Sequence, residues 1–203
     1  MTLGVAAGLA TTSQAAMFNA DSAVAGSEHS SSYDILNAID GSGLPAIFDA
    51  STPHAVYSTN NHWTAASGSI LNNTAWAEFM FNSEVTMGTF YMWNHQSNGV
   101  ASNPDYDVTL FNLRLYDAAD NEIFSMLNVS AQEDLTTAQI FAFDPVTGVR
   151  KARFEILANA RPNNDSWTGV AEVRFDTEAV PEPATMAVLG LGAATLLRRR
   201  RKA

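Results

Sequence analysis

Residues 76–93 read WAEFMFNSEVTMGTFYMW. Alternation in the first six sends Ala77, Phe79 and Phe81 to one face, the two-residue period of a half-buried strand. After a turn predicted near Gly88, Phe90-Tyr91-Met92-Trp93 resumes that period, so two neighbouring core strands are expected. Farther along, Val108 to Tyr116 (VTLFNLRLY) is a third strong run, and the polar Asp117–Asn121 turn returns the chain into Glu122 to Met126, which predicts a β-hairpin. Gln139 to Phe143, Ala152 to Ala158 and Val170 to Phe175 add three more runs, the last two alternating Phe154/Ile156 and Ala171/Val173/Phe175 with polar neighbours. No long helix-period stretch competes. Roughly eight strands fit, so the body is predicted to be all-β, an antiparallel jelly-roll β-sandwich.

The 203 residues are 46% hydrophobic and 16% charged, enough for one buried core and too apolar for disorder. The net charge is −10, but five of the eleven basic residues crowd positions 198–202. From Met17 to Val180 there are 6 Lys+Arg against 20 Asp+Glu. Such a body repels phosphate backbones, whose binding depends on cations that displace condensed counterions, and nucleic-acid binding is excluded on that ground. The absence of Cys removes disulfides, thiolate metal sites and Cys nucleophiles together.

Both ends read as addresses. Leu3 to Ala10 (LGVAAGLA), the polar TTSQ and Ala15-Ala16 resemble a signal peptide over residues 1–16, without the usual basic start. The alternative is a buried apolar stretch. At the other end Pro181-Glu182-Pro183 precedes an apolar segment, Ala184 to Leu197, and then RRRRK. A helix of about 14 residues is about 21 Å long, short of the roughly 30 Å hydrocarbon core, so it is expected to anchor marginally. The Arg cluster orients it, keeping the basic tail cytoplasmic and the acidic body outside.

Residues 179–203 resemble the PEP-CTERM sorting signal of exported bacterial proteins: PEP motif, short hydrophobic helix, Arg-rich tail. The resemblance implies an exosortase-type processing protease as partner, a transient inner-membrane anchor through the C-terminal helix, and a destination at the cell surface or outside it. It assigns no activity.

Within the body, residues 17–178, a second resemblance covers roughly Ser32 to Phe175. Ala38-Ile39-Asp40-Gly41-Ser42-Gly43, Trp76-Ala77-Glu78-Phe79, Met92-Trp93-Asn94-His95, Ala152-Arg153-Phe154 and Gly169–Phe175 occur in the order of the discoidin, or F5/8 type C, family. The fold this implies is galactose-binding-like. One departure is that Leu44–Asp49 follows where the family has a Thr and a Trp. The resemblance also implies a structural Ca²⁺ site, with carboxylate oxygens from Asp40 and Glu172 and backbone carbonyls of Ala38 and Ala171. The alternative is that Asp40 closes an Asx-type turn and Glu172 faces solvent.

A polar and aromatic set comprises His54, Tyr57, Asn60, Asn61, His62 and Trp63, then Trp93-Asn94-His95-Gln96, then Asn163–Trp167. Sugars need this mixture, because an aromatic face packs on pyranose C–H groups while amides and imidazoles supply directional bonds. Trp63, Trp93, Asn94, His95 and Trp167 are the ligand-binding candidates. Against this, Trp on sandwich strands commonly belongs to the core, and Asn in loops serves turns. No H-E-x-x-H, G-x-S-x-G or phosphate-loop pattern occurs, so no catalytic residues are expected. The expectation is a non-catalytic binding module, for polysaccharide or another glycan. The alternatives are a purely structural matrix or biofilm component and, remotely, a glycoside hydrolase.

Overall fold

The computed structural model describes residues 17–95, 106–161, 163–164 and 166–177. The signal-peptide segment, Gln96, Asp165, the PEP motif and the C-terminal helix lie outside the described residues. Seven strands form among those described: β1 (Ser22–Ala25), β2 (Trp63–Ala65), β3 (Trp76–Asn94), β4 (Val108–Tyr116), β5 (Glu122–Ser130), β6 (Gln139–Asn159) and β7 (Thr168–Asp176). Every pairing is antiparallel. The hairpin expected around Asp117 is β4–β5, with Leu113 opposite Met126 and Leu115 opposite Phe124. The Asp117 carboxylate accepts from the backbone of Ala119 and Asn121, each at 2.9 Å, and so closes the turn.

Two expectations need correction. No turn separates two strands at Gly88: β3 is one strand of 19 residues. Likewise, the runs at 139–143 and 152–158 are the two ends of the 21-residue β6. The β3–β6 ladder shifts register between Met80 and Thr89, and bulges there bend both strands without ending them. The first part of β3 pairs with β1 and the second half of β6, which continues into β4 and β5; the second part pairs with β7 and the first half of β6. A folded double ribbon thus supplies both layers of the sandwich.

The layers meet through phenylalanines. Phe79 lies 5.8 Å from Phe175, and Phe90 lies 5.6 Å from Phe154 and 5.9 Å from Phe111, all five rings fully buried. Burying each contributes about 1.5–3 kcal/mol. Short β2 joins the edge of β7 at Trp63–Val170. The approach requires Gly169, where a Cβ would stand 2.0 Å from the Trp63 carbonyl oxygen.

A second, smaller cluster lies outside this core, where Tyr91, Trp93 and Ala171 pack under Leu44, Phe48 and Ala50. The 44–52 loop, in which the sequence departs from the discoidin pattern, is therefore a cover over β3 and β7.

Candidate functional site

At one end of the sandwich six rings form a circuit of contacts around a seventh. His29 and Tyr33 stand 5.3 Å apart, Tyr33 stacks on Tyr57 at 5.7 Å, and Tyr57 reaches His95 at 4.9 Å. His95 meets Tyr106 at 5.6 Å, Tyr106 meets Trp167 at 5.7 Å, and Trp167 returns to His29 at 5.5 Å. His62 sits inside the circuit, 4.0 Å from Tyr57, 4.8 Å from His95 and 5.0 Å from Tyr33. The two inner imidazoles are fully buried, the tyrosines and Trp167 are half-buried, and His29 is exposed.

Backbone and amide bonds position these rings. Asn37 Nδ2 donates to the carbonyls of Ser32 and His62, tying the Tyr33 turn to β2. The His29 amide donates to the Thr64 carbonyl at 2.8 Å. Asn159 Nδ2 donates to the Trp167 carbonyl at 3.0 Å, and Thr168 Oγ1 to the Tyr106 carbonyl at 3.3 Å. Trp167 Nε1 donates to His29 Nδ1 at 3.1 Å, which places the proton of the neutral His29 ring on Nε2.

The inner rings have hydrogen-bonding capacity left over. Asn61 Oδ1 already accepts from the Ser58 amide, so the 2.7 Å contact to His62 Nδ1 is a donation by the imidazole, and His62 Nε2 is left as a buried acceptor without a protein partner. His95 Nε2 bonds Thr64 Oγ1 at 2.9 Å, while its Nδ1 likewise has no protein partner. Burial pushes the His62 ring down to about 3 and His95 well below the usual imidazole value, so both are neutral at pH 7. Burial also raises the Tyr57 hydroxyl.

Of the sequence candidates, His95 and Trp167 enter this cluster, linked through Tyr106. Trp63, Trp93 and Asn94 do not face it as ligand groups. Trp63 is fully buried, with Nε1 donating to the Ser27 carbonyl at 3.2 Å. Trp93 is covered by Phe48, and its Nε1 donates to the Thr52 carbonyl at 2.9 Å. The Asn94 amide is wholly occupied: Nδ2 donates to the carbonyls of Val108 and Gln132, each at 3.0 Å, and Oδ1 accepts from the amides of Val108 and His95. It reproduces a ladder rung where β3 ends. Asn60 and Asn164 hold left-handed backbone at φ 64° and 53°, the turn role weighed for loop asparagines. His54 packs against Gly43 and lies close enough to His62 for a charge on one ring to disfavour a charge on the other. The sequence reading missed His29, Tyr33 and Tyr106; only their residue type could have flagged them, since no spacing links them.

The turn that carries Asp40 meets β7 at Glu172 through Gly41, not through the Asp40 carboxylate. Glu172 is fully buried instead of facing solvent, and its Oε2 accepts from the Gly41 amide at 3.1 Å. Its other oxygen is held by Arg174 Nη1, which also donates to the carbonyls of Ile39 at 3.1 Å and Val173 at 3.0 Å. Asp40 is exposed and closes an Asx turn onto the Ser42 amide at 2.7 Å. Ala38 is buried at the end of the 3-10 turn Ile35–Ala38, and Ala171 packs in the Trp93 cluster. Among the described residues no group of three or more His, Asp or Glu is arranged to hold a metal.

Residues 179–202 match the PEP-CTERM protein-sorting motif. No curated protein matches the chain. Among solved structures, it is similar to a fucose binding module from Streptococcus pneumoniae, with TM-score 0.55 and 15% identity over 77% of this chain and 91% of that one. It is similar to the F5/8 type C domain of a Bacteroides fragilis protein, with TM-score 0.54 and 16% identity over 81% and 98% of the two chains. A family 32 carbohydrate-binding module from C. perfringens NanJ, in complex with galactose, matches with TM-score 0.51 and 12% identity over 76% and 91%. These likenesses establish the fold as a galactose-binding-like β-sandwich of the F5/8 type C kind.

Proposed function

We propose that this is an exported protein, sorted through its C-terminal PEP-CTERM segment and processed by an exosortase-type protease, whose β-sandwich binds a glycan without catalysis. In this reading the tail is a temporary inner-membrane anchor and the body acts at the cell surface or beyond it. The observation that carries the binding role is the ring cluster. Half-buried aromatic rings surround two neutral imidazoles that each keep one hydrogen-bonding nitrogen unused by the protein. Faces of the half-buried rings suit the C–H side of a pyranose, and the exposed His29 ring suits its hydroxyls. The fucose and galactose named for the similar modules support a sugar as the ligand class.

Polysaccharide pull-down and glycan-array measurements with the purified protein and with Trp167→Ala test the proposal. The expected result is retention of a neutral glycan by the parent and at least about a tenfold loss in the variant, the equivalent of about 1.4 kcal/mol. Retention by neither protein at any glycan refutes the binding role and favours a structural matrix component. Release of the body from the membrane fraction is expected to fail when Pro181-Glu182-Pro183 is replaced; normal release refutes the sorting role.

A further inference from the structure

We propose that Arg174 is the built-in cation of the domain: its guanidinium occupies the place between the 38–41 turn and β7 that the discoidin resemblance assigns to calcium, and the two ends of the fold are clamped without metal. Calcium takes six to eight oxygen ligands. The groups present do not form that set. Both Glu172 oxygens are engaged, one by Arg174 and one by the Gly41 amide, and the Asp40 carboxylate is turned to solvent in its Asx turn. A backbone N–H aimed at Glu172 is a donor where a metal would need acceptors. Arg174 Nε is a further buried donor without a protein acceptor in the same place. A divalent cation introduced here would face a guanidinium charge already seated against its carboxylate, so the site is closed to calcium while Arg174 stays in place.

The arginine does the work expected of the ion. Through Nη1 it joins Ile39, near the start of the domain, to Glu172 in the final strand, and the Ile39 carbonyl also accepts from Asn19 Nδ2 at 3.0 Å. The ring of Phe48 in the covering loop lies 5.4 Å from the guanidinium carbon, so the cation faces a ring as well as being bonded. Its side chain is 3% exposed and that of Glu172 is 0% exposed, which makes the pair an internal one. Glu172 and Arg174 are two apart on β7 and therefore share its outer face.

Thermal melting of the full chain, in EDTA and in saturating CaCl₂, reads the proposal directly. The parent is expected to melt at one temperature in both. Arg174→Met, which keeps the length of the side chain and removes its charge, leaves Glu172 unpaired and is expected to lower Tm by roughly 10 °C. Arg174→Lys keeps a point charge without the fork and is expected to fall between the two; it serves if the Met variant does not fold. A rise in the parent Tm with calcium overturns the proposal, as does parental melting of Arg174→Met or of Arg174→Lys.

Discussion

Two aromatic clusters lie outside the phenylalanine core, and each contains a tryptophan that was a ligand candidate. Around Trp93 the cluster is roofed: the 44–52 loop lies over it and a backbone carbonyl accepts from the indole. Around Trp167 the cluster is open: the indole is half-buried and its partner is an exposed histidine ring. The first is otherwise apolar, and the second is built from histidine and tyrosine rings. What separates them is whether main chain or side chain completes the tryptophan, because a main-chain cover cannot withdraw without unfolding a loop, whereas an exposed imidazole can share its bonds with an incoming molecule. The comparison assigns stability to the first cluster and contact to the second.

The sharpest way to break this assignment is Trp93→Ala. Deleting a fully buried indole is expected to cost about 3–5 kcal/mol, read as a shift of the urea midpoint at constant slope, because the cavity cannot collapse under a loop held at Thr52. Glycan affinity of the folded fraction is expected to stay at the parent value. An affinity loss with little change in stability would reverse the roles of the clusters.

Acid is expected to act on a scale comparable to the loss of Trp93, through the open cluster and its surroundings. His62, His95 and His54 are all held below the ordinary imidazole value, chiefly by burial. Between that ordinary value, about 6.5, and their folded values the unfolded chain binds more protons, so stability is lost as pH falls below about 6.5, by up to about 1.4 kcal/mol per pH unit for each ring. For His62 the loss continues to about pH 3. Melting temperature followed from pH 7 to 4 is expected to fall steadily before the ordinary carboxylate range is reached. His62→Phe keeps a ring of similar shape against Tyr57 and is expected to flatten that slope by one ring's share while weakening glycan binding. An unchanged slope would show that His62 is charged in the fold.

Most of the sandwich was legible because alternation in VTLFNLRLY, ARFEILA and VAEVRF is a local property of strands with one face in the core. The Gly88 turn was misread for a physical reason: bulges bend a ladder through the spacing of partner residues on another strand, which leaves no trace in the bent strand's own pattern. β2 is only three residues long, too short for an alternating pattern to show in the sequence. In the candidate site, residue type was readable and exposure was not. Trp93 and Trp167 both read as ligand candidates, and the path of the 44–52 loop, which covers only the first, is not written in either one's neighbours. Arg174 was within reach, since the period of VAEVRF already sets it on the same face as Glu172. A buried ion pair in place of a metal is nevertheless decided by the turn at Gly41, 131 residues away from Glu172.

His29 gives the smallest expected effect and tests the open cluster where it costs the fold least. Its ring is exposed, touches Tyr33 and Trp167 from outside, and accepts the indole proton, so removal leaves the Trp167 N–H free to bond water. Exposed substitutions of this kind change stability by about 0.5 kcal/mol or less. If the histidine fixes the indole for a ligand, His29→Ala lowers glycan affinity by about fivefold, the equivalent of one hydrogen bond of about 1 kcal/mol, because the ring plane must then be ordered at the moment of binding. His29→Gln, whose side-chain oxygen can still accept from the indole, is expected to recover most of that loss in titration calorimetry. Equal losses in both variants would mean that the imidazole itself contacts the sugar, and parental affinity in both would confine the site to the inner rings.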